Sequence, residues 1–155
     1  MFSAFDHFRQ RDQFGKVKVI ATLSALLSSF LPWLDISTSV PGLGKLGSYS
    51  FNAWNAGFSA WFPILMLLAN GAYDYLQERV NALAVIDSHT LGMVVGFLAT
   101  MLIALRWITY ANGSSTVDSS AGVGLYCGLA TALTITFFSY RAFVQQGSSP
   151  ETARG

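Results

Sequence analysis

Residues 88–107, "SHTLGMVVGFLATMLIALRW", carry one formally charged side chain, Arg106, in twenty positions. Ser88, Gly92, Gly96, Thr100 and Ala104 recur every four residues, so a small side chain returns to roughly one face at each helical turn. Glycine costs roughly 1 kcal/mol relative to alanine in a helix interior, so two of them in one helix need a reason. Lipid supplies one. Between helices in hydrocarbon the hydrophobic effect gives no net drive, and association depends on close approach of backbones past small side chains.

The same spacing appears on either side. Residues 123–143, "VGLYCGLATALTITFFSYRAF", repeat it at Gly124, Gly128, Ala132 and Thr136, and residues 17–34 carry a weaker version in Ala21, Ala25 and Ser29. The expected helix packing sets Gly92, Gly96 and Thr100 against Gly124, Gly128 and Ala132 of the next antiparallel helix, with a homodimer or a larger partner as the alternative. Met93, Phe97, Met101 and Leu105 then point toward lipid or another subunit.

Composition agrees. Of 155 residues, 52% are hydrophobic and 11% charged, against about 25% charged in soluble domains. A net charge of +1 gives no basic excess for nucleic acid. The lone Cys127 excludes an internal disulfide, a CxxC centre and a multi-cysteine metal site.

About 20 apolar residues span a hydrocarbon core of about 30 Å, and four segments approach that length: 17–34, 58–75, 88–107 and 123–143. The expectation is therefore an all-α membrane protein, four transmembrane helices in an antiparallel bundle over 17–143. Residues 1–16 precede it, with Phe2, Phe5 and Phe8 spaced for an interfacial helix or a frayed end, and 144–155 form a flexible tail. Residues 17–34 lack a small-x-small cleavage site, which favours a retained span over a signal peptide. Arg9, Arg11, Lys16, Lys18, Arg79, Arg141 and Arg154 fall on one side and Lys45 and Arg106 on the other. Positive charge stays inside, so both termini are expected in the cytoplasm of a bacterial inner membrane. Trp33, Trp54, Trp61 and Trp107 would mark the outer boundary.

Within the expected spans no ionisable residue lies at mid-depth, and Asn70 is the deepest strongly polar side chain, expected to bond across helices. The inner ends gather Asp74, Asp87 and His89, readable as an ion-pair network fixing helix ends or as a protonation gate. His7 lies outside the spans, which argues against a bis-His haem, and no catalytic, cofactor or metal residue is assigned. The outer loop 35–57 is long and rich in turn formers, yet carries Trp33 at its entrance and Tyr49, Phe51 and Trp54 within it as candidate partner contacts. Its alternating "SYSFNAW" suits a short strand or hairpin arm.

"FLPWLDIS" followed by "GSYSFNAWNAG" resembles small four-helix membrane proteins of actinobacteria, through Pro32, Trp33, Asn52, Trp54 and Gly57. The resemblance covers residues 30–57 and the general topology, and implies a compartment and a fold but no reaction. The expected role is a non-catalytic accessory or assembly subunit of a larger inner-membrane complex of respiratory, secretion or lipid-export type. Its partners would be the lipid bilayer and larger membrane subunits, or a second copy; the alternative role is a small oligomeric transporter or channel.

Overall fold

The computed structural model describes residues 13–40, 42, 44–77, 87–110 and 117–147. Within these residues seven elements follow in chain order: α1 (Gln13–Ser28), β1 (Pro32–Val40), β2 (Gly44–Asn52), α2 (Phe58–Gln77), α3 (Ser88–Tyr110), β3 (Val117–Ala121) and α4 (Val123–Gly147). The helices pack in a ring, α1 between α2 and α4, and α3 between the same two.

Each helix turns small or branched residues inward. α1 buries Ala21, Ala25 and Ser28, α2 buries Ala60, Ile64 and Leu67, and α3 buries Gly92, Gly96, Ala99 and Ile103. α4 contributes Leu125, Ala132 and Ile135 to the same core. α1 stops where Ser28 and Ser29 turn their hydroxyls back to the carbonyls of Ala25 and Leu26; Pro32, which cannot donate, then opens β1.

The bundle is not all-α. β2, β1 and β3 form an antiparallel sheet in that order at one end of the helices. The loop read over 35–57 is largely the β1–β2 hairpin, with Gly42 at φ +89° in its turn. The "SYSFNAW" arm is indeed extended, as β2 through Asn52. The link between α3 and α4 supplies β3, so both connections at this end are tied to β1.

The number of spans is also corrected. Among the described residues two helices, Ser88–Tyr110 and Val123–Gln145, are long and apolar enough to cross a membrane. α1 has 16 residues, about 24 Å at 1.5 Å per residue, short of a hydrocarbon core of about 30 Å. α2 has 20 residues but contains Asn70, Gly71, Asp74 and Gln77 in its second half and Pro63 in its first. α4 continues to Gly147, so residues 144–147 are helical rather than tail. The segment 1–12, with Phe2, Phe5 and Phe8, and the tail from 148 lie outside the described residues.

Candidate functional site

The helix crossings are built from glycines facing hydroxyls. A Cβ on Gly92 would stand 2.5 Å from Ser139 Oγ, and one on Gly96 2.5 Å from Thr136 Oγ1. Gly71 of α2 meets Thr22 Oγ1 of α1 in the same way. Thr22 and Thr136 donate their protons along their own helices, to the carbonyls of Lys18 and Ala132 at 2.8 Å. Their lone pairs are left facing the glycine backbone, an arrangement suited to weak Cα–H···O contacts. Thr100 donates to the Gly96 carbonyl at 2.8 Å, and Ala132 is fully buried.

The two ladders therefore meet only in part. Gly92 and Gly96 of α3 do pack on α4, but against Ser139 and Thr136. Gly124 and Gly128 serve Trp33 instead: a Cβ on either would run into the indole. The pairing of Pro32 with Asn52 and Leu34 with Phe51 leaves Trp33 as the extra residue of a bulge. Bulges re-aim side chains, and this one drives the indole into the bundle, where Nε1 donates to the Ser28 carbonyl at 2.7 Å. Trp33 is completely enclosed. It is a core residue, and the reading of it as a partner contact is corrected.

The other loop aromatics divide. Tyr49 is 71% exposed on β2. Trp54 is 37% exposed, with Nε1 donating to Ser29 Oγ at 3.1 Å and its ring tilted against Phe30. Phe51 is half-buried against the core.

At the opposite end, Asp87 and His89 come together at the start of α3. Asp87 accepts from Thr90 N at 2.9 Å and Thr90 Oγ1 at 3.0 Å, an N-cap. Burial pushes its carboxyl up, but the Thr90 backbone and hydroxyl bonds and the neighbouring His89 outweigh this and hold it below the usual carboxylate value. Asp74 belongs to α2, and its side chain lies outside the described residues. Lys18 of α1 reaches the same region, donating to Ser88 Oγ at 3.2 Å. That cross-bundle contact links residues 70 apart in sequence.

Three buried polar groups stand out. Asn70 is 2% exposed and, among the described residues, neither end of its amide has a hydrogen-bond partner, unlike the cross-helix bond expected of it. Near the sheet, Arg106 Nη2 donates to the Ala56 carbonyl, while Nε has no partner among the described residues. The Tyr110 ring lies 4.2 Å from the Arg106 guanidinium carbon, and its hydroxyl likewise has no partner among them. Arg106 was visible in the sequence only as a charge near a helix end; its meeting with Ala56 and Gly57 was not. Among the described residues no group of three His, Cys, Asp or Glu side chains is placed to hold a metal.

No protein-family model matches the chain, and no curated protein sequence matches it.

Proposed function

We propose that this chain is a non-catalytic membrane module, an accessory or assembly subunit that works by surface contact. The observation that carries the reading is the state of α3. Only 22% of its most apolar stretch is buried by the rest of the protein. Phe97, Met101, Leu105 and Ile108 are each more than half exposed. Apolar area costs roughly 25 cal/mol per Å² to leave in water, so this face requires lipid or other helices around it. α4 adds Leu133, Phe137 and Phe143 to the same apolar belt.

In this reading α3 and α4 cross the bilayer, and the sheet stands at the outer surface of a bacterial inner membrane. Tyr49 and Leu46, both strongly exposed on β2, and Trp54 offer contact area to a larger membrane subunit there. The glycine–hydroxyl crossings hold the bundle together. Asp87 supports this reading over a protonation gate, because capping Thr90 accounts for its charge and its place.

The test is a cysteine at Leu98, near the middle of α3 and 45% exposed in the protein, in a Cys127→Ala background. In native membranes a water-soluble maleimide should leave it unmodified, and after denaturation in SDS it should react fully. Rapid labelling before denaturation would show that water reaches this face and would refute the membrane reading. Copurification of a larger subunit at fixed stoichiometry, lost on Trp54→Ala without a fall in melting temperature, would separate the accessory role from simple residence in lipid.

A further inference from the structure

We propose that the outer edge of β2 pairs, antiparallel, with β2 of a second copy of this chain, about a twofold axis that passes beside Tyr49. The pairing goes beyond the accessory reading and does not rest on it. It gives Tyr49 a second copy as its neighbour and leaves Leu46 and Trp54 for a larger subunit.

The two edges of the sheet differ in how they are guarded. Edge strands template further pairing unless they are short, charged, bulged or covered. β3, at one edge, has five residues, carries Asp118, and is tied to the end of α3 where Ser119 Oγ donates to the Tyr110 carbonyl. β2, at the other, has nine residues, and among the described residues no strand lies beyond it. Its one charge, Lys45, and its bulge at Leu46 both fall at the turn end. Residues 47–52, "GSYSFN", contain no charge and no proline, and Ser48, Tyr49 and Ser50 are all exposed.

The ladder fixes which backbone groups face out. Gly122 N–H donates to the Trp33 carbonyl at 3.0 Å, so Trp33 turns that carbonyl toward β3, and alternate residues of β1 follow it. Leu34, Ile36 and Thr38 then bond β2, through their partners Phe51, Tyr49 and Gly47. Ser48 and Ser50 are left with N–H and C=O directed outward.

This edge is complementary to itself. With Tyr49 opposite its own copy, Ser48 of each chain exchanges backbone bonds with Ser50 of the other. Phe51 lies across from Gly47, an aromatic ring over a residue without a side chain, and no like charges face each other. Tyr49 shares its sheet face with Leu34, Ile36 and Phe51, which pack on the core, yet it is 71% exposed. The bundle does not reach it. The wide pair brings its ring against the second Tyr49.

The test uses the full chain in native membranes, in a Cys127→Ala background. Copper phenanthroline should oxidise Tyr49→Cys to a disulfide-linked dimer of this chain. Cα atoms of a wide antiparallel pair stand about 4.5 Å apart, within the reach of a disulfide. Leu46→Cys, at a position 64% exposed, should stay monomeric, since in this register it lies roughly 20 Å along the strand from its own copy. Ser48→Pro removes an outward N–H, a change that edge strands tolerate. It should leave the melting temperature in detergent unchanged, and should slow linking of Tyr49→Cys roughly tenfold, the loss of two neutral hydrogen bonds. No linked dimer, equal linking at Leu46→Cys, or linking of Tyr49→Cys to a different protein would overturn the pairing, as would an unchanged rate with Ser48→Pro.

Discussion

A methyl group added at Gly92 meets different obstacles from one added at Gly96. At Gly92 the nearest atoms are all in side chains: Ser139 Oγ at 2.5 Å, Ser139 Cβ at 3.3 Å and Lys18 Nζ at 3.4 Å. At Gly96 the backbone itself intrudes, with Thr136 N at 3.0 Å and Cα at 3.2 Å behind the hydroxyl. Overpacking costs about 1–3 kcal/mol, offset by the roughly 1 kcal/mol that alanine gains over glycine in a helix. Gly96→Ala should therefore lower the melting temperature in detergent, and Thr136→Ala should not restore it, because the α4 backbone remains in the way. Gly92→Ala should be milder and should be fully rescued by Ser139→Ala. Thermal unfolding of the four variants decides the matter, and rescue at Gly96 equal to that at Gly92 would contradict it. The glycines were legible in the sequence as packing residues. Their partners were not, since Gly124 and Gly128 follow the same four-residue spacing yet serve an indole from a strand.

Among the elements, α3 carries a titratable cap. Asp87 holds the first turn through Thr90, and those hydrogen bonds hold its carboxyl below the usual carboxylate value. A carboxyl depressed in the folded state contributes stability above its unfolded pKa, and that contribution is lost as pH falls through the folded one. The cap should thus hold α3 fully above about pH 4 and release it below. Asp87→Ala should cost about 0.5–2 kcal/mol at neutral pH and should flatten the acid limb of stability. Asp87→Asn should keep most of the stability but lose the acid dependence. Unfolding followed by circular dichroism between pH 2 and pH 7 would show both, and an identical acid limb in all three proteins would refute the cap. The helices could be read from sequence because a long apolar segment declares itself without reference to the rest of the chain. The sheet could be read only in part. "SYSFNAW" points to β2, and "LDISTSV" alternates Leu34, Ile36, Thr38 and Val40 with polar residues but falls in the stretch read as a loop. "VDSSA" carries no such pattern, and its pairing with β1 is not a local feature. The Trp33 bulge was hidden for the same reason, since an indole next to a proline at the end of a hydrophobic run looks like an interfacial anchor until the register of β1 on β2 is known. The Arg106 junction joins residues 50 apart in sequence, beyond any local pattern.

For the whole molecule, the sheet and the far ends of α2 and α4 are separated by the length of α3. At 23 residues that length is about 35 Å, slightly more than the hydrocarbon core of about 30 Å. If α3 and α4 cross the bilayer, the two ends face different compartments, and the distribution of cations says which. Lys16 and Lys18 at the start of α1 and Arg141 near the end of α4 lie at the end away from the sheet, while Lys45 lies in β2. Positive charge is retained in the cytoplasm, so the sheet should face outward. In a Cys127→Ala background, a cysteine at Ser48 of β2 should react with a membrane-impermeant maleimide in intact cells, and one at Gln145 of α4 only after permeabilisation. Both positions are exposed in the protein, so a difference in labelling reports the membrane and not the fold. The opposite pattern would invert the orientation but keep the crossing. Equal labelling at both sites in intact cells would mean that no bilayer separates the two ends, and α3 would then need another apolar partner to cover Phe97, Met101 and Leu105.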